Sequence, residues 1–235
     1  MKEFIGFCFV MLLATQATGD LASKLKSESP TWFKYEIKTE RRSSNNWCNG
    51  EHQNPVHLEG SDTAEVLIRV EHDQVQKINI YSTDCTLDTA GLPLVELKGV
   101  TAEESLAFLK NLTTDGATFA ISQHAGPQAT EILIDRAKND KSTHTREQAI
   151  FWLSQRAGAK AASAIVDAIV NDPDTGVKKK AVFALSQLPH DEGVPKLIEV
   201  ARTQRNPEVR KQAFFWLGQT HDPRALAYIE DVLTK

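Results

Sequence analysis

A seven-residue segment recurs along the C-terminal half of the chain at a fixed interval of 32 residues. Its four copies read ATFAISQ at 117–123, AIFWLSQ at 149–155, AVFALSQ at 181–187 and AFFWLGQ at 213–219. A period of this length corresponds to two short helices and two turns. Because one helix pair cannot bury its own apolar stripe, the repetition predicts four stacked pairs that share a continuous core.

The columns of the repeat also indicate where the helices begin. Ser142, Asp174 and Asn206 share one column, and all three residue types are favoured N-caps because their side-chain oxygens accept free backbone N–H groups. Pro127 and Pro223 mark the expected starts of second helices. The C-terminal region is therefore predicted to be all-α.

Two positions depart from the repeated pattern. Pro195 lies inside the second helix expected in the third copy, so that helix either starts late, near Glu192 or Gly193, or is bent. In the last copy, Glu230 stands where the earlier copies carry an apolar residue. A polar residue there predicts a capped end of the array, with nothing stacked beyond it.

Residues 115–235 resemble HEAT-like repeats, a family of antiparallel helix pairs. The resemblance is carried by the caps Asp174 and Asn206, the helix starts VKKKA and VRKQA, the helix bodies FALSQ and FWLGQ, and the turn HDPRALAYI. It implies that the four repeats stack into a curved α-solenoid. The preceding region is similar to the N-terminal part of exported bacterial proteins that carry such repeats.

The N-terminal region is typical of β-structure. Within 31–100, TWFKYEIKT alternates apolar and polar residues, AEVLIRVEHDQVQKINIYS predicts two strands joined by a polar turn, and LPLVELKGV predicts a final strand. We expect a small antiparallel β domain there, preceded by a polar lead-in over 20–30. Thr101 and Glu104 match a capping box, which predicts a capping helix over 101–112. The fold class is therefore α+β.

The first nineteen residues are typical of an export signal. Lys2 supplies a positive start, an apolar run follows over 4–14, and Ala17 and Gly19 are small residues at the positions that a signal peptidase inspects. The run is shorter than the roughly 20 apolar residues that span a bilayer. Cleavage of 1–19 would give an exported protein, periplasmic or secreted, whereas a retained membrane anchor is the alternative.

Removal of the signal would leave two cysteines. Cys48 and Cys85 form an even pair, which in an exported protein favours a disulfide. A metal site is a second interpretation, because His52 and His57 follow Cys48 closely and could complete a four-ligand set with Cys85. That spacing matches no standard zinc pattern. Two free thiols are the third interpretation.

Charge and motifs exclude several functional classes. The net charge of −4 and the pI of about 6.0 argue against nucleic-acid binding, which requires a basic face. The sequence contains no G-x-S-x-G, P-loop or H-E-x-x-H motif. We expect a monomeric, non-enzymatic protein without a cofactor. The HEAT-like resemblance implies a protein partner, and the export signal places that partner in the cell envelope or outside the cell.

The HEAT-like resemblance implies a binding surface on the second helices, which would line a concave face. A rigid surface of this kind binds extended or convex partners at little ordering cost. Exposed second-helix positions are the predicted contacts: Gln128, Glu131, Asp135, Lys160, Ser163, Asp167, Lys196, Glu199, Arg224 and Tyr228. The alternative functions are a metal-dependent protein or enzyme that uses the Cys/His set, and a regulator that docks on an envelope protease or signalling protein.

Two further columns require an interpretation. The glutamines of the repeated segment are expected to bond backbone carbonyls at helix ends or to reach a neighbouring repeat, with a ligand-facing row as the alternative. They are Gln123, Gln155, Gln187 and Gln219. Trp152 and Trp216 are predicted to pack between helices. The alternative is that they are exposed and anchor a protein–protein interface.

Overall fold

The computed structural model describes residues 20–43, 61–83, 85, 87–114, 116–156 and 158–234. A sheet region comes first in these ranges, and a run of helices follows. The first elements are α1 (Leu21–Lys24), β1 (Thr31–Ser43), β2 (Ser61–Glu71), β3 (Gln74–Ser82), β4 (Leu94–Glu96) and α2 (Ala102–Leu109). The repeat helices are α3 (Ala117–Gln123), α4 (Pro127–Asn139), α5 (Thr143–Ser154), α6 (Ala159–Asn171), α7 (Thr175–Ser186), α8 (His190–Thr203), α9 (Pro207–Gln219) and α10 (Pro223–Leu233).

The four strands form one mixed sheet in the order β3-β2-β1-β4. β1 pairs with β2, and β2 with β3, in antiparallel fashion, but β4 runs parallel to β1. The prediction of a purely antiparallel domain was therefore wrong at one edge. The reason is the connection after β3, which crosses the sheet to the far side of β1 before β4 begins; parallel neighbours require such a crossover.

One face of the sheet packs against the helices. Phe33, Tyr35 and Ile68 belong to the same buried hydrophobic cluster as the apolar residues of the repeats. Leu21 and Leu25, in the segment predicted to be a polar lead-in, are 1% and 4% exposed and join this cluster. That segment is therefore part of the core, because Leu21 of α1 and Leu25, which follows the helix, are both buried in the cluster. The sheet and the helical array share a single interior.

The repeat helices begin where the sequence indicated. The side chains of Ser142, Asp174 and Asn206 each accept backbone N–H groups of the first turn of α5, α7 and α9. α4 and α10 begin at proline, as predicted. The capping box of Thr101 and Glu104 is formed at the start of α2. These local signals therefore define the array correctly.

The second helix of the third repeat, α8, does not start late. α8 begins at His190, because the amides of Glu192 and Gly193 both donate to the carbonyl of Pro189, at 2.9 and 2.8 Å. Pro195 consequently lies inside the helix, with its ring exposed. The expectation of a start near Glu192 was wrong.

The end of the array is apolar, contrary to the capped end expected from Glu230. On α10, Leu226 is 51% exposed and Leu233 is 80% exposed. Their equivalents in the third repeat, Val194 and Ala201, are 1% and 3% exposed because α10 and its neighbours cover them. A single polar residue, Glu230, does not make this face polar, because Leu226 and Leu233 on the same helix still expose apolar surface.

Candidate protein-binding groove

The second helices α4, α6, α8 and α10 carry all ten residues that the sequence predicted for a binding surface. None of the ten is buried. Neighbouring first helices contact each other more extensively than neighbouring second helices do, because a column of buried alanines, including Ala149 and Ala181, lets the first helices approach closely. The second-helix layer is therefore the more open one. A groove between α4 and α6 lies in this layer, and the concave binding face expected from the sequence stays a prediction.

A groove of about 720 Å³ lies between α4 and α6. Ile134, Ala137, Ala164 and Ala168 give it an apolar surface, and the three alanines leave space because their side chains are short. Of the ten predicted residues, three line the groove: Lys160, Ser163 and Asp167. The structure thus brings together the central members of the predicted surface.

Two ion pairs cross the α4–α6 groove. Lys160 Nζ lies 3.3 Å from Glu131 Oε1, and Lys138 Nζ lies 4.0 Å from Asp167 Oδ2. Three of the side chains are largely exposed and Asp167 is 39% exposed, so each pair contributes at most about 1 kcal/mol to stability. A charged partner can therefore exchange these contacts for its own at little cost.

The remaining predicted residues do not line this groove. Arg224 donates to Asp222 at 2.8 Å and to the carbonyl of His190 at 2.8 Å. Its hydrogen bond lowers the pKa of Asp222 to about 2. Tyr228 stacks on Phe214 with ring centroids 5.8 Å apart. The other members are exposed on α4 or lie on α8: Gln128, Asp135, Lys196 and Glu199.

The glutamine column forms a local motif rather than the backbone contacts that we expected. In the first three repeats the amide nitrogen donates to the hydroxyl of the preceding serine, at 2.9 to 3.2 Å. That serine hydroxyl in turn donates to the carbonyl three residues earlier. The glutamines in this arrangement are Gln123, Gln155 and Gln187. In the fourth repeat Gly218 replaces the serine, and Gln219 is exposed.

The tryptophan column packs between neighbouring repeats. The ring of Trp152 lies 4.8 Å from that of Phe119, and the ring of Trp216 lies 5.0 Å from that of Phe183. Both indoles are partly buried against the core. Aromatic contacts therefore join the first repeat to the second and the third to the fourth.

The alternative Cys/His site lies mostly outside the described residues. Cys48, His52 and His57 are not among them, and Cys85 is disulfide-bonded. The pairing of Cys48 with Cys85 stays a prediction. Across the described ranges, no group of three or more His, Cys, Asp and Glu side chains is arranged to hold a metal ion.

Sequence reasoning missed two buried arginines that hold helix ends together. Arg156 donates to the carbonyls of Ser122, His124 and Gly126, at 2.9 to 3.2 Å, and to Thr130 Oγ1 at 2.7 Å. It thereby satisfies carbonyls left free at the C-terminal end of α3.

The second arginine, Arg136, does the same for α2. It donates to the carbonyls of Leu109 and Leu112, at 2.8 and 2.7 Å, and to Thr118 Oγ1 at 2.6 Å. Burial lowers its pKa. Each guanidinium donates hydrogen bonds from one helix pair to the elements that precede it. The sequence does not reveal these contacts, because the other repeats carry no arginine at the equivalent positions.

A buried hydrogen-bonded chain joins the sheet to the helices. His124 Nδ1 lies 2.8 Å from the Ala120 carbonyl, so Nδ1 donates and Nε2 accepts from Ser105 Oγ at 2.9 Å. Ser105 Oγ in turn accepts from the Tyr35 hydroxyl at 2.8 Å. Burial lowers the pKa of His124 to about 4 and raises that of Tyr35. The imidazole is therefore neutral over the physiological range.

Comparison with protein families supports the repeat interpretation. Residues 162–235 match a family model described as HEAT repeats, which covers most of α6 and the helices from α7 to α10. The resemblance predicted from the repeated columns is confirmed there. Comparison with curated proteins gave no match. Within the described part of the chain, no helix has both the length and the apolar character needed to cross a membrane.

Proposed function

We propose that the chain is a protein-binding scaffold that captures its partner in the α4–α6 groove, because residues 162–235 match a family model of HEAT repeats. HEAT repeats suggest protein partners, and binding rather than catalysis is the proposed activity. The observation that carries the proposal is the groove itself: an apolar floor open to solvent, lined by three of the ten predicted contact residues.

The chemistry of the groove defines the segment that it would take. Its alanine floor accommodates apolar side chains, and the charges on its rim are of both signs. A helix or extended segment with apolar side chains on one face and charged residues beside them fits this surface. Since the helices that form the groove are already folded, little conformational entropy is lost on binding.

Site-specific photo-crosslinking in cells tests this proposal. A benzophenone amino acid at Ser163, inside the groove, is expected to give discrete adducts with a partner protein. The same group at Lys180, an exposed position on the first helix α7, is the matched control and should give none. Filling the groove with Ala164→Phe should reduce the Ser163 adducts at least about tenfold, since a partner loses its apolar pocket. Equal adducts from both positions, or adducts unaffected by the filling, would contradict the proposal.

We further propose that the protein works outside the cytoplasm, after cleavage of residues 1–19. The positive Lys2, the apolar run and the small residues at 17 and 19 support export. A partner in the envelope, such as a protease or signalling protein, would then be regulated by docking, and the identity of the crosslinked adduct decides this.

Intact-mass measurement of the protein recovered from the envelope or medium tests export and the disulfide together. We expect a chain that starts at Asp20 and lacks free thiols, with Cys48 and Cys85 joined. A bound metal in stoichiometric amount, together with reactive thiols, would instead support the Cys/His site and a metal-dependent function. A chain that retains its first residues would contradict cleavage.

A further inference from the structure

The fourth repeat, formed by α9 and α10, exposes apolar side chains on the face where a further helix pair would stack. Val182 is fully buried in the third repeat, but Phe214 in the same column is only partly buried, and Phe215 beside it is 54% exposed. Within the described residues, no helix pair is stacked on α9 and α10. We call this surface the end face, and its residues are Lys211, Phe214, Phe215, Leu226, Glu230 and Leu233.

A lysine on the end face lacks the partner that its equivalent has inside the array. Lys179 of α7 occupies the same column as Lys211, and its Nζ lies 3.7 Å from Glu208 Oε2 of the next repeat. The side chains of Lys211 and Glu230 have no hydrogen bond or ion pair with any residue that the structure describes. The end face therefore presents one unpaired cation and one unpaired carboxylate, and a unit stacked on it could pair both.

The two charges lie at nearly the same level of the helix pair. α9 and α10 are antiparallel neighbours, and Phe214 stacks on Tyr228 between them, with ring centroids 5.8 Å apart. Lys211 precedes this contact by three residues and Glu230 follows it by two, so their levels differ by about 1.5 Å, the rise of one residue. A twofold axis parallel to the two helices therefore brings Lys211 of each copy onto Glu230 of the other.

The opposite end of the array is not open to a second copy in the same way. There α3 packs against β1 and β3, and the amide of Ala125 donates to the carbonyl of Lys38 at 2.9 Å. The sheet thus occupies the side on which the end face of another copy would have to dock head to tail. Two copies can consequently meet through their end faces only in an isologous pair, which closes at two subunits.

We propose that two copies of this chain form a dimer through their end faces, related by a twofold axis parallel to α9 and α10. Lys211 of each copy pairs with Glu230 of the other, and the rings of Phe214 and Phe215 pack against the leucines of the opposite α10. The dimer continues the stacking of repeats across the twofold axis. It departs from the monomer expected from the sequence, and it does not depend on the α4–α6 groove, which lies elsewhere on the array.

The size of the end face predicts a reversible dimer. α9 and α10 are about 20 and 17 Å long and each about 10 Å wide, so the face measures about 20 by 20 Å. This is at the small end of specific interfaces, which bury about 800 Å² on each partner. Sedimentation equilibrium of the purified protein between about 1 and 200 μM should give a monomer–dimer equilibrium with a Kd of about 10 μM. A monomeric mass at about 200 μM, or growth beyond a dimer, would overturn the proposal.

An apolar-to-charged substitution tests the end face itself. Leu226→Glu should raise the Kd of the dimer at least about tenfold, because it buries a carboxylate against the rings of the other copy. Val170→Glu is the matched control, since Val170 is 55% exposed on α6 and lies outside the end face. The proposal fails if the two variants change the Kd equally.

Charge reversal tests the geometry without altering any buried residue. Lys211→Glu alone, or Glu230→Lys alone, places like charges across the twofold axis and should raise the Kd at least about fivefold. The double variant restores opposite charges at both contacts, so its Kd should return to within about twofold of the original. If the double variant dimerises no better than the single ones, Lys211 and Glu230 do not meet and the twofold arrangement is wrong.

Discussion

Replacement of Arg156 by methionine is expected to lower the free energy of unfolding by about 3–5 kcal/mol, the largest single effect that the structure predicts. Methionine fills similar space but removes every hydrogen bond that the guanidinium donates to Ser122, His124, Gly126 and Thr130. The carbonyl of His124 and its neighbours would then be buried without donors. Urea unfolding followed by far-UV circular dichroism measures the loss.

Arg210→Met is the matched control for this substitution. Arg210 is exposed on α9 and donates a hydrogen bond of 3.3 Å to the carbonyl of Gln204. We expect its replacement to cost less than about 1 kcal/mol. Similar losses for Arg156 and Arg210 would mean that the buried hydrogen bonds contribute little.

Acidification is expected to destabilise the protein through His124 by about 3 kcal/mol. The folded-state pKa of about 4 lies below the unfolded value of 6.5. The unfolded chain therefore takes up the proton first, and stability falls as the pH drops from about 6.5 towards 4. Below that pH the folded state also binds the proton, and this contribution stops growing. A proton on Nε2 removes the acceptor that Ser105 uses, so the junction with Tyr35 is the part that breaks.

The pH dependence of urea unfolding should identify this residue. His124→Gln is expected to be less stable at neutral pH but to lose the part of the acid slope that histidine causes. His144→Gln, at an exposed position on α5, should keep the full slope. An unchanged slope in His124→Gln would assign the acid sensitivity to carboxylates instead.

The boundaries of the repeat helices could be predicted because their signals are local. A cap such as Asp174 and a first-turn proline such as Pro223 act within a few residues, and four copies reinforce the same assignment. The parallel pairing of β4 and the burial of Leu21 and Leu25 depend on contacts between distant segments. No periodicity within those segments encodes them.

Only the charged residues at the rim of the candidate groove could be predicted from the sequence. Second-helix positions such as Lys160 and Asp167 follow from helical spacing, whereas the groove exists because four alanines meet across two helices. The buried arginines were not predictable, since the column of Arg156 holds His124, Leu188 and Thr220 in the other repeats. A long cationic side chain is normally assigned to the surface.

The alternation of tryptophan and alanine in one column gives the junctions between repeats two kinds of packing. Indole rings pack the first repeat against the second and the third against the fourth. In the third repeat, Ala184 occupies the same column and provides no ring. In the second-helix layer, α6 also contacts α8 less than α4 contacts α6. The first helices stay packed across this position, since α5 contacts α7 about as extensively as α7 contacts α9. Aromatic rings therefore reinforce two of the three junctions between repeats, and the packing of α5 against α7 holds the middle one.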